Sequence, residues 1–164
     1  MEINNLNVTE LRNGLLKGEF SPKEILDSTI NKIREMDNKI NAFPIQCFEK
    51  AYKQIEELPS IKDIDFDSHP LYGIPVGVKD LNDIKGVLTT QGSELYKDYL
   101  PKSDDNIVAC MRKNGAVFPG KTNVPEHGFG ATTTNKLFGS TNNPYDLSKS
   151  CGASSGGTAA AIAA

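Results

Sequence analysis

The chain has 164 residues and a net charge of −3, and that length is enough for one domain of ordinary size. An acidic balance without a basic patch argues against direct binding to nucleic acid. The sequence has no apolar run long enough to cross a membrane, and residues 1–13 are too polar for a signal peptide, so we predict a cytoplasmic protein.

The N-terminal part of the chain is predicted to be helical. Short helices are expected at residues 8–17 and 47–58, where a glycine and a proline follow the last apolar positions. Between them, Ser21 and Glu24 form the pattern of a capping box, and the proline after the serine suits the first helical position. Apolar residues then recur at three- and four-residue steps, which gives one face that packs on a larger body. We therefore predict an N-terminal helical arm over residues 1–60.

The remainder of the chain is predicted to begin an α/β domain, over residues 61–164. The run LYGIPVGVKD, residues 71–80, is short, apolar and β-branched, as in a buried strand. A helix is expected at residues 104–114 and a second strand at residues 116–118. A strand, a helix and a strand in this order predict a parallel α/β sheet.

A long polar segment separates the predicted sheet from a final helix. Residues 121–157 are mostly Gly, Thr, Asn, Ser and Pro, which predicts a loop, and so long a loop inside a compact domain is usually functional. The tail GGTAAAIAA, residues 156–164, begins a helix with small residues on every face. Such a helix can be packed closely on all sides.

One stretch looks like a phosphate-binding loop. GAVFPGKT, residues 115–122, matches the pattern GxxxxGK[ST] at every specified position. A phosphate-binding loop follows a strand and opens a helix. Here a helix precedes the stretch, and Pro125 and Gly128 discourage a helix after it. We therefore predict that the stretch does not bind nucleotides.

Lys79 stands at the end of the first predicted strand and is a candidate general base. Partial burial lowers the pKa of a lysine and makes the neutral amine accessible. The alternative is an ordinary lysine whose ammonium group reaches solvent. Asp80 is expected to point to the opposite face, because strand neighbours alternate, and to serve there as a structural anchor.

Ser154 and Ser155 lie in GASSGG, where the glycines permit close approach of the backbone. The alternative is a serine that caps the Ala-rich helix. A catalytic pair of His127 with Ser154 or Cys151 is disfavoured, because no helical or strand register brings these residues together.

The three cysteines, Cys47, Cys110 and Cys151, are odd in number and lack CxxC spacing. This pattern argues against a disulfide framework and against a zinc site. We expect reduced thiols, with Cys110 in the core of its helix and Cys151 as a small spacer. No metal and no cofactor are predicted.

Five stretches in order resemble the amidase signature family: GIPVGVKD, TTQGS, GAVFPGKTNVPE, FGSTNNPYD and GASSGGTAAAIAA. The resemblance covers residues 71–164, and the helical arm also fits the N-terminal region of that family. It implies the mixed α/β sheet of the amidase signature fold, of which this chain holds the N-terminal part. One departure is Ala153, which stands where the family usually has glycine.

The resemblance implies amide C–N hydrolysis through a Ser–Ser–Lys relay and an acyl-enzyme. Lys79 matches the general base of the family, and Ser154 matches the bridging serine, which the family holds by a cis peptide bond. Ser155 is the supporting neighbour. The candidates for the substrate loop are three adjacent threonines, Thr132, Thr133 and Thr134.

The resemblance also implies that the nucleophilic serine lies beyond residue 164, so this segment alone is expected to be inactive. A small-molecule amide is the expected substrate, and a homodimer fits the full-length protein. One rival within the family is an amidotransferase A-type subunit that works on aminoacyl-tRNA together with an ATP-dependent partner. A second rival, from a different class, is a non-catalytic truncated remnant.

Overall fold

The computed structural model describes residues 2–164 as a mixed α/β fold. The α-helices are α1 (Val8–Lys17), α2 (Pro22–Ile40), α3 (Phe48–Glu57), α4 (Asn106–Lys113) and α5 (Gly156–Ala163). The strands are β1 (Ile45–Gln46), β2 (Val78–Lys79), β3 (Gly120–Thr122), β4 (Thr134–Asn135), β5 (Gly139–Ser140), β6 (Asn142–Asn143) and β7 (Asp146–Ser150). The α/β class predicted from the sequence is confirmed.

Reciprocal capping bonds determine where the first two helices begin. Ser21 Oγ accepts from the Glu24 amide at 3.3 Å, and the Glu24 carboxylate accepts from the Ser21 amide at 2.7 Å, which confirms the predicted capping box. Asn7 and Glu10 cap α1 in the same way. Gly18 then ends α1 in the left-handed conformation, with φ at 68°.

A three-stranded sheet in the order β1-β3-β2 joins the helical arm to the rest of the chain. β2 runs parallel to β3, with Lys79 opposite Thr122, which confirms the predicted parallel pairing. β1 belongs to the predicted arm and pairs antiparallel with the other edge of β3. The sheet therefore crosses the proposed boundary at residue 60, and the division into two parts stays a prediction.

The second strand, predicted at residues 116–118, begins later in the structure, as β3. The Phe118 amide donates to the side-chain oxygen of Gln54 at 2.9 Å, so it is not available to a neighbouring strand. Pro119 follows and has no N–H to donate. Regular pairing therefore starts only after the proline.

The first strand, predicted at residues 71–80, is also shorter than expected. Only β2 is regular, and an isolated parallel bridge between Pro75 and Val117 precedes it. A proline cannot donate to a ladder, which interrupts the strand at that point.

The predicted loop over residues 121–157 is partly wrong, because two small hairpins lie within it. β4 pairs with β5, with Thr134 opposite Ser140, and β6 pairs with β7, with Asn142 opposite Ser150. These strands are short and polar, so they lack the apolar alternation by which strands are recognised in a sequence.

The Ala-rich helix α5 packs against α2 and the sheet. Ala160 of α5 lies in one buried cluster with Ile33 and Ile40 of α2. Gly157 approaches β3 so closely that an added Cβ would lie 2.4 Å from the Asn123 amide nitrogen. This packing brings the N-terminus of α5 to the ends of β2 and β3.

Candidate active site

Lys79 lies at the end of β2, half-buried, and its ammonium group contacts two serine hydroxyls. Lys79 Nζ donates to Ser154 Oγ at 2.6 Å and to Ser155 Oγ at 2.9 Å. Burial lowers the pKa of Lys79. The structure thus brings together three residues that the sequence singled out across a separation of 75 positions.

The two serines lie on the loop between β7 and α5, the serine loop (residues 151–155). Ser155 occupies the N-cap position of α5, but its hydroxyl makes no capping bond and contacts Lys79 instead. Ser154 is half-buried and Ser155 is exposed. The cis peptide bond of this loop joins Gly152 to Ala153, whereas the resemblance implied a cis bond at Ser154 itself.

Asp80 follows Lys79 in the chain but faces the opposite side of β2, as predicted. Its side chain is fully buried and lies 3.0 Å from Lys121 Nζ on β3. The Thr90 amide and hydroxyl also donate to it. The Asp80 carboxylate therefore has its bonding partners on this other side, away from Lys79. Among residues 2–164, Lys79 forms no ion pair, so no carboxylate in direct contact holds it in the charged form.

Lys121, the lysine of the phosphate-loop pattern, is fully buried on β3. Besides Asp80, its ammonium group contacts the Thr89 hydroxyl at 2.8 Å. The first helical segment after β3 is a short 3₁₀ turn, Glu126–Gly128, rather than an α-helix. The geometry of a phosphate-binding loop is therefore missing from this stretch.

The three candidate threonines have different environments. Thr132 and Thr134 are exposed, whereas Thr133 is fully buried beneath the serine loop. Thr133 Oγ1 donates to the Ala153 carbonyl and accepts from the Gly156 amide at 2.9 Å. Its hydroxyl therefore contacts the backbone on both sides of the serine pair.

The side chain of His127 contacts residues other than the serines. Its Nδ1 lies 3.3 Å from the side-chain oxygen of Gln91, and its ring packs edge-on against Tyr96. No hydrogen bond joins His127 to Ser154 or Cys151 within the described part of the chain.

The cysteines are free thiols, and one of their predicted locations is wrong. Cys110 is exposed on α4, where Val108 is the residue that faces the core. Cys151 is buried, and Cys47 is half-buried with its Sγ 3.2 Å from the Phe118 carbonyl oxygen. Burial raises the pKa of Cys47 to about 11.

No cluster of three or more acidic, histidine or cysteine side chains that could hold a metal ion occurs in residues 2–164. Over the same residues, no helix combines the length and the apolar character that crossing a bilayer requires. The cytoplasmic location stays a prediction.

Two features of this site were missed by the sequence reasoning. The Lys121–Asp80 pair was missed because the second strand was predicted at residues 116–118, which left Lys121 outside the predicted sheet. The contacts of Thr133 on both sides of the serine pair had no signal in the sequence, because they depend on how the loop folds.

Comparisons with known proteins indicate the family of the chain. A family model described as Amidase matches residues 24–164. The A subunit of glutamyl-tRNA(Gln) amidotransferase from Alkaliphilus metalliredigens (strain QYMF) is 38% identical over 164 residues, which cover 100% of this chain and 33% of that protein.

Solved structures also resemble the chain over nearly its full length. The 6-aminohexanoate cyclic dimer hydrolase complexed with substrate has a TM-score of 0.88 and 33% identity, covering 99% of this chain and 32% of the other. The A subunit of glutamyl-tRNA(Gln) amidotransferase from Thermotoga maritima has a TM-score of 0.75 and 29% identity, covering 99% and 32%. The chain thus spans about a third of the length of the curated relatives it matches.

Proposed function

The chain belongs to the amidase signature family, and we propose that it supplies the proton-relay part of an active site that cleaves amide C–N bonds. Lys79 is the general base and Ser154 is the bridging hydroxyl. Ser155 is the supporting neighbour, whose hydroxyl accepts a hydrogen bond from Lys79. The substrate class is a small-molecule amide.

The contact between Lys79 Nζ and Ser154 Oγ, at 2.6 Å, is the observation that carries this proposal. A general base must lie within hydrogen-bonding reach of the proton it removes, and this distance meets that requirement. The lowered pKa of Lys79 favours the neutral amine that a base requires. Asp80 does not oppose this shift by direct contact, because its carboxylate pairs with Lys121 on the other face.

The proton route follows from these contacts. In the proposed relay, neutral Lys79 accepts the Ser154 proton while Ser154 accepts a proton from an attacking serine, which we expect beyond residue 164 from the resemblance to the family. The attacking oxygen bonds to the amide carbon, the C–N bond breaks, and the relay returns a proton to the departing nitrogen. Water then cleaves the ester, which releases the acid and regenerates the attacking serine.

The exposed threonines, Thr132 and Thr134, remain the proposed substrate-loop residues. They flank Thr133 in the sequence, and the Thr133 hydroxyl contacts the backbone of the serine loop. Side chains in these two positions are accessible to a substrate that approaches Ser154.

A second candidate function is that of an amidotransferase A-type subunit. The relative that is 38% identical over the whole chain carries that name. The 6-aminohexanoate cyclic dimer hydrolase, with a TM-score of 0.88, matches the fold better than the amidotransferase subunit of TM-score 0.75 does. Both candidates use the same amide chemistry and differ in whether partner subunits and an aminoacyl-tRNA are needed.

Variants of the full-length protein test the relay. Lys79→Ala is expected to lower kcat/KM for a simple aryl amide by about 100-fold or more, because the proton acceptor is lost. Ser154→Ala is expected to be similarly damaging, and Cys151→Ser nearly silent. Lys113→Ala, at an exposed position in the last turn of α4, is the matched control. Near-normal turnover by Lys79→Ala would contradict the assignment.

The same assay separates the candidates. Turnover of a simple amide by the purified full-length protein alone favours a stand-alone hydrolase. Turnover that requires partner subunits and glutamyl-tRNA favours the amidotransferase subunit. The truncated remnant is tested by sequencing the downstream reading frame, where a stop codon directly after this segment would favour it.

A further inference from the structure

Thr133 lies directly beneath the serine pair and contacts the backbone immediately before and after it. Its Oγ1 donates to the Ala153 carbonyl at 2.5 Å and accepts from the Gly156 amide at 2.9 Å. A threonine hydroxyl has one proton to donate and lone pairs to accept with, so one side chain can make both bonds. Between these two anchor points lie only the two serines that contact Lys79.

The backbone of Thr133 is itself held in place. Its amide donates to the Cys151 carbonyl at 2.8 Å, and its carbonyl accepts from the Thr141 amide at 2.9 Å. The Cys151 amide in turn donates to the Thr141 carbonyl at 2.8 Å. Three segments of the chain are therefore hydrogen-bonded to one another where the serine loop begins. These bonds fix the backbone of Thr133 and with it the position of its hydroxyl.

The fit between Thr133 and the start of α5 leaves no spare room. A Cβ added at Gly156 would lie 2.3 Å from Thr133 Oγ1 and 2.9 Å from Thr133 Cβ. Real atoms do not approach so closely, so only glycine allows the amide at this position to reach the hydroxyl. The contact thus depends on both residues: Thr133 supplies a buried hydroxyl, and Gly156 has no side chain to block it.

We infer that Thr133 is a positioning residue whose hydroxyl, bound to Ala153 and Gly156, holds Ser154 and Ser155 within reach of Lys79. It acts through the serine loop and does not touch the substrate, which distinguishes it from its exposed neighbours. The catalytic consequence rests on the proposed function, whereas the effect on the loop does not.

Two substitutions at one position test this role in the full-length protein. Thr133→Val keeps the shape of the side chain and removes both hydrogen bonds, and Thr133→Ser keeps the hydroxyl. Hydrogen exchange at the Gly156 amide is expected to be roughly tenfold faster in Thr133→Val and unchanged in Thr133→Ser. For amide hydrolysis, Thr133→Val is expected to lower kcat by about 100-fold with KM nearly unchanged, because misplacing a relay group impairs the chemical step rather than binding.

Thr9→Val is the matched control, since the same change at an exposed threonine of α1 should leave both the Gly156 exchange rate and kcat unaltered. Wild-type exchange or wild-type kcat in Thr133→Val would overturn the inference, as would failure of Thr133→Ser to restore both. If Thr133→Val does not fold, fast Gly156 exchange in the wild-type protein overturns it without any variant. If the wild-type protein hydrolyses no amide, the proposed function fails, and the exchange rates alone then decide whether Thr133 holds the loop.

Discussion

Lys121 and Asp80 form a fully buried ion pair that joins β3 to β2, with 3.0 Å between Nζ and Oδ1. Asp80 directly follows Lys79, so the pair lies behind the candidate base, on the opposite face of the same strand. Burial lowers the pKa of Lys121, and the Asp80 carboxylate opposes that shift. Each of the two buried charges therefore has the other as its counter-charge. Removing one member leaves the other buried without a partner charge.

Loss of one member of this pair is expected to destabilise the protein strongly. Lys121→Met leaves the Asp80 carboxylate buried, which typically costs about 3–5 kcal/mol in the free energy of unfolding. The double variant Lys121→Met with Asp80→Asn removes both charges and should recover part of that loss. Urea denaturation measures both, with Lys17→Met at an exposed ion pair as a control that should change little. A single variant as stable as the wild type would contradict the expectation.

Nucleotides are not expected to bind at the stretch that resembles a phosphate loop. Lys121 is enclosed in β3 and no α-helix begins directly after that strand, so the lysine cannot reach a phosphate group. Millimolar ATP with magnesium should leave the melting temperature unchanged in a thermal shift assay. A saturable rise that requires magnesium would show that this stretch does bind phosphate.

The helices were the most predictable part of the fold. Local signals determine them, as the Ser21 and Glu24 capping box shows at the start of α2. The hairpin strands β4–β7 were not predictable because they are short and polar, and β1 was not predictable because its partner is distant in sequence. β1 has only two residues and pairs with Lys121 and Gly120, and nothing near Ile45 in the sequence indicates that partner.

The candidate site was predictable from the residues only in part. A lysine ending an apolar strand and a serine pair among glycines each had an ordinary alternative explanation, and the resemblance to a family brought them together. The positions of Thr133 and Lys121 depend on long-range packing. Lys121 in particular belongs to a stretch that matches the phosphate-binding-loop pattern. That pattern does not indicate a phosphate site here, because Lys121 lies in a strand and not in a loop.

Cys47 is expected to react slowly with alkylating agents. Burial raises its pKa to about 11, so at pH 8 only about one molecule in a thousand carries the reactive thiolate. Cys110 is exposed and provides the comparison within the same chain. Peptide mass spectrometry after brief iodoacetamide treatment should find Cys110 modified first, and unfolding in urea should make Cys47 comparably reactive. Equal rates in the folded protein would contradict the prediction.

The lowered pKa of Lys79 also makes the stability of the fold depend on pH. This effect must be distinguished from the pH dependence of catalysis. Because the pKa is lower in the folded state than the ordinary value of 10.5, the unfolded chain binds more protons within that interval. The contribution of Lys79 to stability therefore falls as the pH falls from 10.5 to its folded-state pKa. A measurement of activity against pH must accordingly monitor the folded fraction at each point.

The pH dependence of amide hydrolysis is expected to report the base directly. Only neutral Lys79 can accept the Ser154 proton, so kcat/KM should rise about tenfold per pH unit and level off above the pKa of Lys79, which burial holds below 10.5. Lys79→Arg keeps the charge but cannot deprotonate, so it should remain inactive across the range. Lys113→Ala, the exposed control, should keep the wild-type profile. A rising limb that persists in Lys79→Ala would assign the titration to another group.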